Sequence, residues 1–402
     1  MKKYYVESII GKIADGIQKL IERGAINSKK EIYLFGMDTF SMGMKTILSN
    51  KGYRINSYLL DDEIRVMNEN RRIKAFRARY CNGSVTEDYI LIRQLKAKEF
   101  EKKDFVILVV SKDYTEVREK LSAYGYLEGE DFYKVFDWND DSFADEMRGK
   151  EQLSITNIQS RLKEMLRNID EYCMKHNIQY WVCGGTLLGT IRHKGFIPWD
   201  DDVDIFMPMP DYKKFITSFC ADGMYQLLGP EITDRVLYSE LFLKIIDNDT
   251  IVREDNRIVR KIHPLAIDVF PLIGVPAVEQ ERLKFFAGYY ELEKSIWEDY
   301  YKQNGNMDVY NKWYVYQKEY LEKYEYSQSE YVGVIATAYK EKDCVAKEVY
   351  SRTLRMPFED IEVNVPVGYK EYLARLYGEN WGEIPSKEKR KSHHNMTAFL
   401  LD

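Results

Sequence analysis

No run of eighteen apolar residues occurs in this 402-residue sequence, so no segment has the length and hydropathy of a membrane-spanning helix. Cysteine is scarce. The five cysteines (Cys81, Cys173, Cys183, Cys220, Cys344) are scattered and odd in number, and none forms a C-x-x-C pair. That spacing argues against a zinc site and for reduced, mostly buried thiols in a cytosolic protein. Only five histidines are present; His393 and His394 are adjacent and do not form a metal pair by spacing. Basic excess is also missing: the formal net charge is −6, which excludes a general nucleic-acid binder but not a local basic pocket. The N-terminus begins "MKKYY", yet Glu7 and Asp15 interrupt any signal-peptide core. Ile9, Ile10, Ile13, Ile17, Leu20 and Ile21 recur there at helical spacing, the pattern of an amphipathic helix packed on the first domain. The expected location is cytoplasmic, with loose peripheral association at the inner face of a membrane left open.

What is present divides in two. The length exceeds what one hydrophobic core usually serves, so two domains are expected. In residues 1–147, "EIYLFG", "INSYLLDDE", "DFVILVVS" and "YKVFDW" read as strands alternating with helices, the pattern of a Rossmann-like parallel sheet. Gly36 ends the first of these, and an acid follows about 25 residues on, at Asp61 and Asp62. The dinucleotide fingerprint is damaged, however. With Gly36 as its first glycine, Asp38 and Ser41 fill the other two places, and a carboxylate stands where a pyrophosphate would approach. A module that packs, dimerises or holds another ligand is favoured over NAD binding. The acidic "DWNDDSFADEMRGKEQ" marks the boundary, and residues 148–402 form the second domain. The fold class expected is α/β and α+β.

The second domain carries "WVCGGTLLGTIRHKGFIPWDDDVDIFMP", from Trp181 to Pro208. Gly184 and Gly185 let backbone approach a ligand, and Thr186 is suited to cap the helix that follows, a natural phosphate site. After Pro198, "DVDIFM" reads as a strand, so Asp202 and Asp204 share one face while Val203 and Ile205 point into the core. Two hard oxygen ligands side by side are what magnesium takes, with manganese an alternative. Asp200 shares their parity; Asp201 points away, to orient the site or to be solvated. Arg192, His193 and Lys194 suit phosphate oxygens. "HPLAIDVFPLIGVP" places Asp268 alone in an apolar strand, an expensive position unless it is paired or coordinated. Upstream, "LFLKIIDNDTIVRED" reads as a hairpin turning near Asn248 and Asp249. Lys244 there is placed to reach a phosphate or to lie on the surface, and His263 is a candidate neighbour of the Asp268 strand. The aromatic-rich helices from Glu279 to about Tyr326 are mostly packing, with an aromatic cage for a quaternary ammonium conceivable but not assignable to any residue.

A glycine pair, a D-x-D on a strand and a lone later aspartate follow the plan of the polymerase β-like nucleotidyltransferase fold. The fuller strings "GGTLLGTIRHKGFIPWDDDVDIFMP", "AIDVFPL" and "FEDIEVNVPVGYKEYLARLYGENWGEIPSKEKR" resemble the LicD family, over roughly residue 155 to the C-terminus. The resemblance implies a metal-dependent phosphotransferase of surface-glycan synthesis (lipopolysaccharide, teichoic acid or capsule). A CDP-alcohol such as CDP-choline would be the donor, a glycan or lipid-linked glycan hydroxyl the acceptor, and CMP the leaving group. It implies Gly184, Gly185 and Thr186 at the donor phosphates with Arg192, His193 and Lys194. Asp202, Asp204 and Asp268 would be the metal ligands and catalytic acids, with Asp201, Lys244 and His263 in possible supporting roles. Two other readings share the site: a nucleotidyltransferase acting on a small molecule, and a non-catalytic sugar- or nucleotide-binding scaffold.

Overall fold

A computed structural model describes residues 5–36, 39–61, 89–97, 105–111, 113–138, 142–219, 224–230, 232, 240–255, 259–337, 339–387, 390 and 396–401. Asp38, Asp62, Cys81, Cys220, His393 and His394 lie outside the described residues.

The chain opens with strand β1 (Tyr5–Ser8) and helix α1 (Ile9–Glu22), then β2 (Glu31–Phe35), α2 (Thr39–Asn50), β3 (Ile55–Leu60), β4 (Tyr89–Leu91) and α3 (Ile92–Ala97). β5 (Phe105–Val109), α4 (Tyr114–Ala123), β6 (Phe132–Lys134) and α5 (Ser142–Glu146) follow. Strands β2 to β6 form a five-stranded sheet in the order β4-β3-β2-β5-β6, parallel throughout. The order reverses between β2 and β5, which is the doubly wound arrangement. β5 is buried at every position, as a central strand covered on both faces must be. One face packs on α1 and α2 through Ile10, Ile13, Ile17, Met44 and Ile47; the other packs on α4 through Val117 and Leu121. Ser8 caps α1 by accepting from the Gly11 N–H at 2.8 Å.

The remaining elements are α6 (Ile155–His176), β7 (Trp181–Val182), α7 (Gly184–His193), β8 (Asp204–Pro208), α8 (Met209–Ser218), β9 (Tyr225–Leu228), β10 (Leu243–Asp255) and β11 (Val259–Val275). Then come α9 (Glu279–Lys302), α10 (Met307–Glu322), β12 (Tyr331–Gly333), β13 (Val345–Ala346), β14 (Thr353–Phe358), β15 (Ile361–Pro366), α11 (Tyr369–Tyr377) and β16 (Met396–Leu400). A mixed nine-stranded sheet is built around β10 and β11. β8 runs parallel to β11, and β7 pairs antiparallel with β8. Alternation along these strands sends Val203, Ile205, Ile267, Val269, Leu243 and Ile245 into the main core, all fully buried. α6 covers that core with Ile158, Leu162, Met165, Leu166 and Ile169 at helical spacing. It is clamped by two ion pairs: Arg161 to the buried Asp247 at 2.6 Å, and Asp170 to both terminal nitrogens of Arg355 at 2.5 and 2.7 Å.

The hairpin expected near Asn248 is absent. β10 continues as one strand along β11, and a bulge between Asp247 and Val252 takes up the polar residues. Local bonds stabilise the bulge. The Asp247 carboxylate accepts from the Asp249 N–H at 3.0 Å. The Thr250 hydroxyl donates to the Asp247 carbonyl and accepts from the Leu265 N–H, each at 2.8 Å. A polar dipeptide thus bends the strand rather than reversing it.

The two sheets are stitched together. β1 precedes the strands of the parallel sheet but belongs to the other one, pairing antiparallel with β11, Ser8 opposite Val259 and Tyr5 opposite Ile262. Tyr300 of α9 joins the core of α1 and α2 and its hydroxyl bonds Ser8 Oγ at 2.6 Å. Arg260, fully buried on β11, donates to the Trp138 carbonyl at 2.9 Å.

Candidate active site

Helix α7 starts on the glycine pair. Gly184 adopts φ +51, in the left-handed region that glycine tolerates. A Cβ at Gly185 would stand 2.8 Å from Asp200 Oδ2, so the missing side chain is what lets that carboxylate lie against the helix start. Cys183 is the N-cap residue and makes no side-chain capping bond. The expected cap by Thr186 is therefore not made. Thr186 is inside the helix, and its buried hydroxyl accepts from the Asp204 N–H at 2.9 Å. The bond ties the first turn of α7 to the first residue of β8.

The backbone of Asp204 is fixed at its N–H and its carbonyl, and that of Val203 before it at its carbonyl. Besides the Thr186 bond, the Asp204 carbonyl accepts from the Cys183 N–H at 3.1 Å, and the Asp268 N–H donates to the Val203 carbonyl at 3.0 Å. In the parallel register Asp204 lies directly opposite Asp268, and in the antiparallel register Asp268 lies directly opposite Lys244. Register partners share a face, so the three form a row across the sheet, on the side away from the core. Lys244 Nζ reaches Asp268 Oδ1 at 2.5 Å. Burial alone would lower this lysine's pKa, but Asp268 and Glu240 outweigh it and hold the ammonium charged. Lys244 thus meets a carboxylate, not open surface.

The other acids sit on the chain before β8. Gln159 of α6 donates from its side-chain amide to the carbonyls of Asp200 (2.8 Å) and Ile197 (3.3 Å), setting the path of this loop. Asp200 and Asp201 are 7% and 6% exposed, so the expectation that Asp201 might simply be solvated fails. Three carboxylate oxygens, one each from Asp200, Asp201 and Asp202, lie within 4.8 Å of one another; among the described residues no other group of three does so. Asp204 and Asp268 fall outside that trio, although both, with Asp202, raise the pKa of the buried Cys183 thiol after burial itself has raised it. Crowded carboxylates, two of them buried, are a hard-oxygen set that a divalent cation would relieve, and in donor chemistry they fit magnesium or manganese.

The basic trio is spread out. Arg192 lies seven residues beyond Gly185 on the same helix face, about 10 Å along the axis. It donates to the carbonyls of Trp381 (3.4 Å) and Glu383 (3.0 Å), and Asp200 and Tyr377 are its electrostatic neighbours. His193 packs edge-on to Trp199, and burial followed by the Arg192 charge lowers its pKa. Lys194 is the exposed C-cap of α7 at φ +58. His263 lies five residues before Asp268, about 17 Å along the strand, and pairs with Glu254 at 3.4 Å. It belongs to a buried ladder of charge that includes Lys261 and Glu240.

Three residues escaped the sequence reading: Tyr339, Tyr377 and Asp343. The aromatic-rich helices α9 and α10 are packing, with Phe285, Phe286, Tyr289 and Tyr314 in one core and Tyr300 in another. The tyrosines of the site come from elsewhere. Tyr339 and Tyr377 join hydroxyls at 2.7 Å beside the acids, and Asp343 is completely buried behind them. Only Tyr377, inside the late "GYKEYLARLYGENW" string, had a signal to find it by.

Residues 177–240 match the family model described as the LicD/FKTN/FKRP nucleotidyltransferase domain. The C-terminal region is thus similar to the LicD family. Over 247 residues the chain is 28% identical to the lipopolysaccharide cholinephosphotransferase LicD of Haemophilus influenzae, covering 57% of this chain and 91% of that one. A stretch of 69 residues is 41% identical to an uncharacterized protein of Rickettsia prowazekii (17% of this chain, 26% of that one). Another of 44 residues is 50% identical to an uncharacterized protein of Rickettsia typhi (11% and 14%). The matched LicD segment holds the glycine pair, the basic trio and Asp200 to Asp204, and stops short of Asp268, Tyr339 and Tyr377. No helix among the described residues is long and apolar enough to cross a membrane.

Proposed function

We propose that this chain is a LicD-type phosphotransferase. It moves phosphocholine, or a related phospho-alcohol, from a CDP-linked donor to a hydroxyl of a cell-surface glycan or its lipid-linked precursor, and CMP leaves. The observation that carries this reading is the row Asp204–Asp268–Lys244 across the sheet, set beside a helix that begins on two glycines. The Haemophilus influenzae relative, named a lipopolysaccharide cholinephosphotransferase, supports the same class of reaction. Residues 1–147 are proposed as a separate Rossmann-like unit docked on residues 148–402 through β1.

The division of labour follows from placement. Backbone N–H groups of the first turn of α7 face the donor diphosphate, with the partial positive charge of a helix start behind them. Asp202, Asp204 and Asp268, with Asp200 and Asp201 adjoining, would hold magnesium. An ion held by these residues would supply positive charge against the diphosphate and the leaving CMP. Asp268 accepts the proton of the acceptor hydroxyl as its oxygen attacks phosphorus, and Lys244 keeps that carboxylate oriented. Arg192, further along the same helix face, adds positive charge at the far end of the donor. The attack is in line and direct.

The test is product analysis. The full-length protein is incubated with magnesium, lipopolysaccharide or teichoic acid, and CDP-choline, CDP-ribitol or CDP-glycerol. CMP release matched by label on the glycan, lost in Asp204→Asn, is the expected result. Pyrophosphate released from CTP would instead make it a nucleotidyltransferase. Binding without turnover of any donor would leave the scaffold.

A further inference from the structure

The acids and the glycine turn account for one side of the candidate site; the other side is tyrosine. A Cβ at Gly184 would lie 3.7 Å from Asp204 Oδ2 and 3.9 Å from Tyr339 Cε2. The Asp204 carboxylate and the Tyr339 ring are therefore both neighbours of the space a side chain at Gly184 would fill. The Tyr339 and Tyr377 hydroxyls are 2.7 Å apart, with the rings edge-on at 5.6 Å and 82°. Tyr339 has Asp204 and Asp202 as charged neighbours, and Tyr377 has Asp200. The pair thus spans from the glycine turn towards the Arg192 end of α7.

Two neutral hydroxyls that bond each other use one proton between them, and the second proton needs an acceptor. An ordinary phenol, with a pKa of about 10, already carries its proton at neutral pH, and burial of both rings acts in the same direction. The pair is a fixed neutral donor among carboxylates.

The segment bearing Tyr339 is pinned on both sides. Asp343, fully buried, accepts from the Thr337 hydroxyl and from the Tyr372 hydroxyl, the latter at 2.7 Å. Arg375 donates to the carbonyls of Glu341 and Lys342, each at 3.1 Å. The hydroxyl pair is thereby held in place before any substrate arrives, which is the condition for a donor that costs no reorganisation during reaction.

We propose that the Tyr339–Tyr377 hydroxyl pair donates a hydrogen bond to the phosphoryl group being transferred, beside the glycine turn and Asp204. Tyr339 and Tyr377 are the contacting residues, and Asp343 is a positioning residue. This rests on the phosphotransferase reading, and it adds to that reading a specific donor for the phosphate next to the alcohol. No proton moves; the bond strengthens as charge builds on the phosphoryl oxygens.

The β-phosphate of cytidine diphosphate occupies the place of that phosphoryl group, and CMP lacks it. Affinities of CDP and CMP, both with magnesium, are measured for the wild type, Tyr339→Phe, Tyr377→Phe and the double variant, together with kcat and KM for CDP-choline. The expected result is a roughly tenfold loss of CDP affinity in each Phe variant, CMP affinity unchanged, and a fall in kcat of about ten- to a hundredfold. The double variant should lose no more than either single one, because the two hydroxyls act as a unit. Equal CDP affinity in Tyr339→Phe and the wild type overturns the proposal, as does a parallel loss for CDP and CMP. A wild type that binds CDP yet releases CMP from no CDP-alcohol would sink the phosphotransferase reading and this proposal with it, whereas unchanged CDP affinity in a Tyr339→Phe enzyme beside an active wild type sinks the proposal alone.

Discussion

The two sheets bury different things. In the parallel sheet the central strands β2 and β5 carry apolar side chains at every buried position, and the ion pair of Asp61 with Lys120 (2.6 Å) lies at a strand end. In the mixed sheet Lys244, Asp247, Arg260, Lys261 and His263 are buried within the strands themselves, and Asp268 sits among them. Buried charge is costly, and a buried ion pair seldom stabilises a fold more than apolar residues of the same size would. The first sheet follows the rules for stability. The second departs from them at the row where chemistry is proposed, through Lys244 and Asp268, and also further along the same strands, where Asp247 and Arg260 tie the sheet to α6 and to Trp138.

Substitutions that exchange these characters would break the comparison or sharpen it. The largest effect is expected for Asp204→Asn. Turnover should fall about a thousandfold, on the order of 4 kcal/mol, with a melting temperature near that of the wild type. Normal turnover would mean that the row is structural. Next is Leu108→Ala in β5, fully buried in the first core. Urea unfolding should register about 2–5 kcal/mol of lost stability, while the folded fraction keeps its kcat. Loss of kcat in the folded fraction would show that the first sheet is part of the catalytic unit.

Asp343 gives a pH dependence of known sign. Burial raises its folded pKa from 3.8 to about 6, against the lowering effect of its bonds to Thr337 and Tyr372 and of Arg375. Between these values the folded state keeps a proton that the unfolded state has lost. Stability therefore falls as pH rises from about 4 to about 6, by at most roughly 3 kcal/mol. Asp343→Asn should flatten that part of the stability curve; an unchanged slope in chemical denaturation would remove Asp343 as its origin. The smallest effect is expected from Gly185→Ala. Alanine is the better helix former by about 1 kcal/mol, yet its Cβ would press on Asp200 Oδ2. Stability should hardly move while activity drops about tenfold; unchanged activity would mean that the Asp200 position is not needed.

How much of this the sequence disclosed depended on the range of the signal. Strand and helix alternation in the first region, and the shared face of Asp202 and Asp204, are periodic features that a short window contains. Asp268 stood out because an acid within "LAIDVFP" violates the pattern around it. The bulge at Asp247 read as a turn because a polar dipeptide serves either purpose, and only the length of β11 decides between them. Thr186 read as a cap because its partner, the Asp204 N–H, lies 18 residues away. The burial of Asp201 depends on α6 holding the loop through Gln159, a contact across 41 residues. Tyr339 and Asp343 lay in a segment with no periodic pattern, and their proximity to Gly184 comes from tertiary packing alone.

The pairing of β1 with β11 also sets a schedule. Ser8 and Val259 face each other across about 250 residues of chain. At a synthesis rate of about 5–20 residues per second, the first strand leaves the ribosome roughly 10–50 s before its partner exists. Helix α1 can fold onto β2 and β5 long before then, which leaves Tyr5 to Ser8 as an unpaired edge and the place of Tyr300 in that core unfilled. The N-terminal sheet is thus born with a sticky end, which closes only once β11 and then Tyr300 have been made.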